Sequence, residues 1–283
     1  MNKLTYYLMF SGCLMMFSSC QKNNSTSIKK ENVEVSQRVL SAISKLGFST
    51  DEVIARDGGY LVEGDIFLTE DNLKEQSHDA NLRIAGVEQY RTTNVLKVPR
   101  TITVSLDNLP AAYSWATDIA LNRFNELKLN LKFQRVDKDG EIKVVGFNEG
   151  PSLGYIVLGS SGFPTSAGDP YNEVKMNMNE KAYGTNPNVF YVASVIAHEI
   201  GHCIGFRHTD YMNRAYSCNG RKTNEGASDI GAVHINGTPS GPDSDSWMLA
   251  CANGKNRAFN ENDIKALNFL YGSKYKVLNS LVW

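Results

Sequence analysis

The sequence predicts an α+β fold: a twisted mixed sheet, one long buried helix, a loop-rich C-terminal part and a small segment in front. Three observations predict it. From Thr101 the apolar pattern runs strand, helix, strand, strand. A strongly apolar helix then starts near Asn188, and three of the chain's five histidines lie on it or just beyond. After it, residues 209–246 are rich in Gly, Ser and Asp and show little helical periodicity. A length of 283 residues with ordinary apolar content suits one globular domain with an added segment. The formal net charge of −1 leaves no basic excess, so nucleic acid is not an expected partner.

Residues 1–19 read as a targeting segment. Lys3 supplies a positive start, and Leu4 to Phe17 is apolar but too short to span a bilayer as a mature helix. The run Phe17-Ser18-Ser19-Cys20 resembles a lipoprotein signal, in which Cys20 is lipidated and becomes the mature N-terminus; Phe17 stands where Leu is usual, and simple secretion is the alternative. Residues 20–32 form a polar tether. The expected address is the cell envelope, lipid-anchored on an outer membrane or cell surface, or else secreted, with the membrane touched through acyl chains alone. Such an address is oxidising. Cys203, Cys218 and Cys251 remain in the mature chain. Cys218 and Cys251 lie in loop-rich sequence and are the expected disulfide, whereas Cys203 sits inside the helix and reads as a buried thiol.

Residues 33–97 read as an N-terminal segment, a candidate pro-segment, ahead of a catalytic-type domain at 98–283. Val33, Val35, Val39, Leu40, Ile43 and Leu46 mark an amphipathic helix stopped by Gly47. Gly59 to Leu68 follows as a strand with a Gly64-Asp65 turn. Residues 72–97 are polar, and Arg91 to Arg100 offers basic sites for an activating cut. Then Ile102, Val104 and Leu106 alternate as a strand, and a helix opens at Asn108 and Pro110. Leu129, Leu131 and Phe133 alternate again, and Ile142 to Phe147 follows the Asp139-Gly140 turn. Gly154 to Gly159 reads as a fourth strand, and Val174, Met176 and Met178 as a fifth. Asp243 and Asp245 read as solvated rather than as calcium ligands. Asn260 to Asp263 caps a last helix that closes at Gly272.

The chemistry lies in His198-Glu199-Ile200-Gly201-His202-Cys203-Ile204-Gly205-Phe206-Arg207-His208. Residues four apart on a helix share a face, so His198 and His202 point two imidazoles at one place. Gly205 permits a left-handed backbone that ends the helix and turns the chain, returning His208 as a third nitrogen. Three neutral imidazoles with one open position describe a catalytic zinc site rather than a closed structural one. Such an ion lowers the pKa of its water to about 7, and Glu199 is placed beside it as general acid/base.

This H-E-x-x-H-x-x-G-x-x-H run resembles the metzincin signature, and HEIGHCIGFRHTD is similar to the bacterial HEIGH-type metallopeptidases within that group. The resemblance implies a metzincin-like fold and a zinc endopeptidase acting on peptide or protein substrate, with His198, His202 and His208 as ligands. A monomer is expected. The resemblance implies further that substrate pairs antiparallel with the sheet edge above the cleft. Ser246-Trp247-Met248-Leu249-Ala250 resembles the Met-turn, with Met248 a hydrophobic floor under the ion; Ala250 stands where astacins carry a tyrosine. Val62-Glu63-Gly64-Asp65-Ile66 resembles the F-x-G-D segment of astacin propeptides, which makes Asp65 a candidate inhibitory zinc ligand. The last helix resembles that of the matrixins.

Two rivals stand beside this reading. Asn224-Glu225-Gly226-Ala227-Ser228-Asp229 resembles the N-E-x-x-S-D of thermolysin-like enzymes, which would make Glu225 the third ligand instead of His208; Gly226 disfavours the helix this needs. The other is a surface lipoprotein that binds a partner around a purely structural metal. Glu199 separates the two, because a structural site has no use for a carboxylate there.

Overall fold

The structure is a computed structural model. It describes residues 34–46, 48–56, 58–74, 89–152, 154–218, 231–239 and 243–273. The expectations for the signal at 1–19, Cys20, the tether, the Gly47 stop and Glu225 lie outside the described residues.

The N-terminal segment holds α1 (Gln37–Lys45), β1 (Ile54–Arg56), β2 (Gly59–Val62), β3 (Ile66–Thr69) and a 3-10 turn at Asn72–Lys74. Ser36 caps α1, its side chain accepting from the Val39 N–H. The three strands form an antiparallel sheet in which Val62 faces Ile66 across a tight turn. Its core is small: Ile43, Leu46, Phe48, Val62, Ile66 and Leu68, closed by Phe163 from the larger part of the chain.

That larger part begins at Gln89. Strand β4 (Tyr90–Arg91) pairs with β10 (Val233–His234), and Tyr90 is buried. Tyr90 O accepts from Arg207 N–H at 2.9 Å and Gly205 O accepts from Thr92 N–H at 2.8 Å, so residues 90–92 lace the loop after the histidine helix. Leu96 belongs to the main core. Residues 89–97, grouped by their polarity with the N-terminal segment, are therefore built into the main body.

The main sheet comprises β5 (Arg100–Asp107), β6 (Leu131–Arg135), β7 (Ile142–Phe147), β8 (Gly159–Ser160) and β9 (Glu173–Asn177), in the order β6-β5-β7-β9-β8. Every pair is parallel except β8 against β9, which makes the sheet mixed, as the fold class required. The strand expected over Gly154–Gly159 is only Gly159–Ser160. Ser152 and Tyr155 exchange backbone hydrogen bonds of 2.9 and 3.1 Å, and Gly154 sits at φ 88°, so the chain curls there before it joins the edge.

Helices α2 (Ala111–Glu126) and α4 (Val189–Cys203) pack together, and α4 crosses β8 and β9. Between them come α3 (Glu180–Tyr183) and, beyond α4, α5 (Ala215–Cys218) and α6 (Glu261–Tyr271). Asn188 caps α4 by accepting from the N–H groups of Phe190 and Tyr191. Asn260 and Asp263 form a reciprocal capping box on α6. The core between sheet and helices includes Ile102, Val104, Val144, Met176, Ile196, Ile200, Ile204, Phe206, Trp247 and Met248, all nearly inaccessible to solvent. Its effect on function is positional: twelve successive residues of α4, Val192 to Cys203, are buried, so the helix has no freedom to rotate its histidines.

Candidate metal centre

His198 and His202 leave α4 one turn apart, with Nε2 atoms 3.1 Å from each other. The helix stops at Ile204, and Gly205, at φ 102°, turns the chain in a conformation that side chains resist. The turn delivers His208, whose Nε2 lies 3.2 Å from that of His202. Asp65, arriving from the β2–β3 turn, places Oδ2 3.2 Å from His208 Nε2 and 3.5 Å from His198 Nε2. The four ligand-type atoms lie within 4.8 Å of one another, and all four residues are buried.

The ring nitrogens not aimed at this centre fix the tautomers. His198 Nδ1 lies 2.9 Å from Trp247 O, and His202 Nδ1 lies 2.9 Å from Phe206 O. A carbonyl only accepts, so each Nδ1 carries the proton and each Nε2 presents a bare lone pair. Two lone pairs facing each other across 3.1 Å repel unless a cation lies between them. Ligands about 2.0–2.1 Å from a tetrahedral zinc stand about 3.3 Å apart; four of the six pairs here are 3.1–3.5 Å apart, and all lie within 4.8 Å. Burial, reinforced by the neighbouring His198 and His208, holds the His202 pKa well below its ordinary value, which keeps the ring neutral as a ligand must be. The donor set thus fits a divalent ion.

Asp65 titrates in the opposite sense to an ordinary buried carboxyl. Burial works to raise it, but His208 and then His198 outweigh that and hold it well below the usual carboxylate range. Glu199 is 1% exposed, and burial, followed by the Asp65 carboxylate, pushes its pKa well above the ordinary value. Ser161 Oγ lies 2.9 Å from Glu199 Oε2 and fixes that carboxylate against the sheet edge. Gly159 leaves the room: a Cβ there would stand 2.8 Å from Glu199 Oε1.

Met248 is fully buried, and its carbonyl accepts from the Thr209 N–H at 2.9 Å, one residue past His208. Gly201, between the two helical histidines, lets this turn come close: a Cβ there would meet Met248 Sδ and the Trp247 ring, each at 2.6 Å. Cys218 and Cys251 are joined by a disulfide. Cys203 is a buried thiol behind the helix, its Sγ near Glu173 O. The Ser161, Gly159 and Gly201 roles escaped the sequence reading, as did Arg207. The Arg207 guanidinium is wholly buried among the rings of Phe48, Phe163 and Tyr211, and its Nη2 lies 3.9 Å from Glu63 Oε2. None of these has a local spacing that marks it.

A cleft of about 780 Å³ opens beside the centre, with His198, Glu199, Leu158, Val195 and Leu249 in its walls. A buried trio of histidines, with His198 and the Glu199 carboxylate in the wall of a cleft, defines the class as a metal-dependent hydrolase. The comparisons are more specific. The model of a family described as dual-action HEIGH metallo-peptidases matches residues 60–271, and the chain belongs to that family. The protein is accordingly a metallopeptidase. Two solved structures of myroilysin are similar to it. One, at 16% identity, covers 65% of this chain and 98% of that one with a TM-score of 0.43. The other, also at 16%, covers 63% and 86% with a TM-score of 0.39. No curated protein matches the chain.

Proposed function

We propose that the protein is a zinc-dependent endopeptidase, stored with its fourth metal position filled by Asp65. The observation that carries this reading is the pair of bare Nε2 lone pairs held 3.1 Å apart by carbonyl-anchored rings, with His208 closing the triangle. His198, His202 and His208 would hold the ion. Bound there, zinc would polarise the scissile carbonyl and supply a water acidic enough to ionise near neutral pH. Glu199 then takes that proton and returns it to the leaving amine. Ser161 and Gly159 hold the carboxylate in line, and the Trp247 and Phe206 carbonyls keep the rings from turning.

The direction of the N-terminal segment supports storage rather than substrate binding. Ile66 bridges Ser161 in the parallel sense, with the Phe67 N–H donating to Ser161 O at 2.7 Å and the Ser161 N–H to Asp65 O at 3.0 Å. A substrate pairing antiparallel with this edge runs the other way. The segment therefore occupies the edge without offering a peptide bond in the cleavable orientation. Release of α1 to β3 would vacate both the edge and the metal position.

Zinc content and peptide hydrolysis of the full chain test the reading. Glu199→Ala should keep one zinc per chain and the fold while abolishing cleavage; cleavage equal to the parent rejects the enzyme mechanism. Asp65→Ala should raise basal activity, and unchanged activity with unchanged metal coordination removes the latency. His208→Ala retaining full zinc would discard the ligand trio. We place the protein at the cell envelope through a lipid on Cys20, which mass spectrometry of the mature N-terminus would detect or exclude.

A further inference from the structure

Among the described residues, the charged walls of the cleft beside the metal centre divide by sign between the two parts of the chain. Those from the N-terminal segment are Asp51, Glu52 and Asp65, all acidic. From the rest of the chain, setting aside the metal-centre residues His198 and Glu199, they are Arg214, Lys255 and Arg257, all basic. The stored form thus lays carboxylates of one part over cations of the other. Arg214 lies against the segment: a Cβ at Gly64 would stand 3.2 Å from its Nη2.

Arg257 is the best-placed cation. Its backbone N–H donates to Ser194 Oγ at 2.8 Å, which ties it to α4 four residues before His198, about 6 Å along the helix axis. Its guanidinium is partly buried and donates to Cys251 O at 3.4 Å. The carboxylates whose field it feels are Asp210, Asp245 and Asp263, and none of the three lines the cleft. Two of them are engaged elsewhere: Asp210 accepts from Ser217 and Ala250, and Asp263 caps α6. Arginine presents a planar fork of donors that matches a carboxylate.

We infer that this cleft selects peptides carrying an Asp or Glu side chain within two residues of the scissile bond, with Arg257 the specificity-determining residue and Arg214 and Lys255 the surrounding field. The inference rests on the peptidase reading and deepens it by naming the substrate class.

The test uses the full-length, zinc-loaded protein carrying Asp65→Ala, with Asp51→Asn and Glu52→Gln to clear the segment's other carboxylates from the cleft, and a peptide library. Acidic residues should be enriched at one position next to the cut. Replacing that Glu by Gln in the best peptide should lower kcat/KM roughly ten- to hundredfold, mostly through KM. Arg257→Gln should erase most of that difference, and Arg257→Glu should turn the preference toward Lys. Melting curves and zinc content show whether each variant is folded; if Arg257 variants do not fold, Lys255→Glu at the exposed rim must still reduce the preference. A flat or basic profile from the triple-substituted protein overturns the inference. So does Glu/Gln discrimination that survives in folded Arg257→Gln. A separate arm measures fluorescence anisotropy of the labelled Glu and Gln peptides on the triple-substituted protein carrying Glu199→Ala as well. Tighter binding of the Glu peptide supports the inference, and equal binding overturns it. If no peptide in the library is cut, the peptidase reading falls while this binding comparison still decides the acidic preference.

Discussion

Gly159→Ala isolates the position of the Glu199 carboxylate, proposed above as general base, from everything else in the site. The glycine lies on edge strand β8 with no left-handed backbone to protect, so the new methyl brings no conformational strain of its own. Its Cβ would lie 2.8 Å from Glu199 Oε1, 3.0 Å from Cγ and 3.2 Å from Cδ. Ordinary contact begins near 3.4 Å, so the carboxylate must retreat by at least about 0.6 Å. What moves is the end of a flexible side chain, so the cost in stability should stay under about 1 kcal/mol. Catalysis is less forgiving, since a displacement of about 1 Å can cost a hundredfold. A shift of about 0.6 Å is therefore expected to cost roughly tenfold, carried by kcat. The assay is kcat and KM on the zinc-loaded Asp65→Ala background, with zinc stoichiometry and melting temperature alongside. An undiminished kcat in a folded, zinc-replete variant would refute the placement of Glu199. Loss of zinc instead would mean that the glycine serves the ligands rather than the base.

Three further outcomes are expected. Gly201→Ala drives a methyl into Met248 Sδ and the Trp247 ring at 2.6 Å, and should destabilise the protein by about 1–3 kcal/mol in urea titrations despite alanine's better helix propensity; an unchanged midpoint would show that the turn relaxes freely. Replacing both Cys218 and Cys251 by Ser opens a loop with a sequence separation of 33, worth about 3–4 kcal/mol in the chain-entropy account, and should raise KM because both residues line the cleft; equal denaturant midpoints with and without reductant would contradict it. Burial pushes Asp263 up to about 7 from an ordinary 3.8, against four donors from Gln89, Ser246, Trp247 and Asn260. The folded state therefore keeps a proton that the unfolded chain has released. Its contribution is present below about pH 4 and is lost as pH rises through about 7. Asp263→Asn should flatten that fall, and a variant with the parent's pH slope would sink the assignment.

What the sequence made legible was local. His198, Glu199, His202, Gly205 and His208 lie within eleven residues, so helical periodicity and one turn suffice to bring them together. The helix caps at Asn188 and Asn260 are equally local. What stayed hidden depends on contacts between distant segments. Ser161 meets Glu199 from 38 residues away, and Asp65 meets His208 from 143 away. Asp65 entered through a resemblance to a propeptide motif, because no pattern in the residues themselves says where a β-turn carboxylate will dock. Glu63 beside Arg207 left no trace, since a charged pair reads as solvated surface until its partners are known to be aromatic. The Gly154–Gly159 stretch was apolar enough for a strand, but the curl at Ser152–Tyr155 shortened it.

The lacing of the loop that carries His208 has a consequence for how the protein would handle a metal ion. Tyr90 and Thr92 grip the loop on one side, the Met248 carbonyl grips it at Thr209, and Ile204 O accepts from the Tyr271 hydroxyl beneath. All of this is done by main-chain pairing and one buried hydroxyl that ask nothing of a metal. Zinc fingers, by contrast, are shapeless until loaded. Here a chelator should strip the ion and leave a folded shell, and refilling that shell should need no refolding.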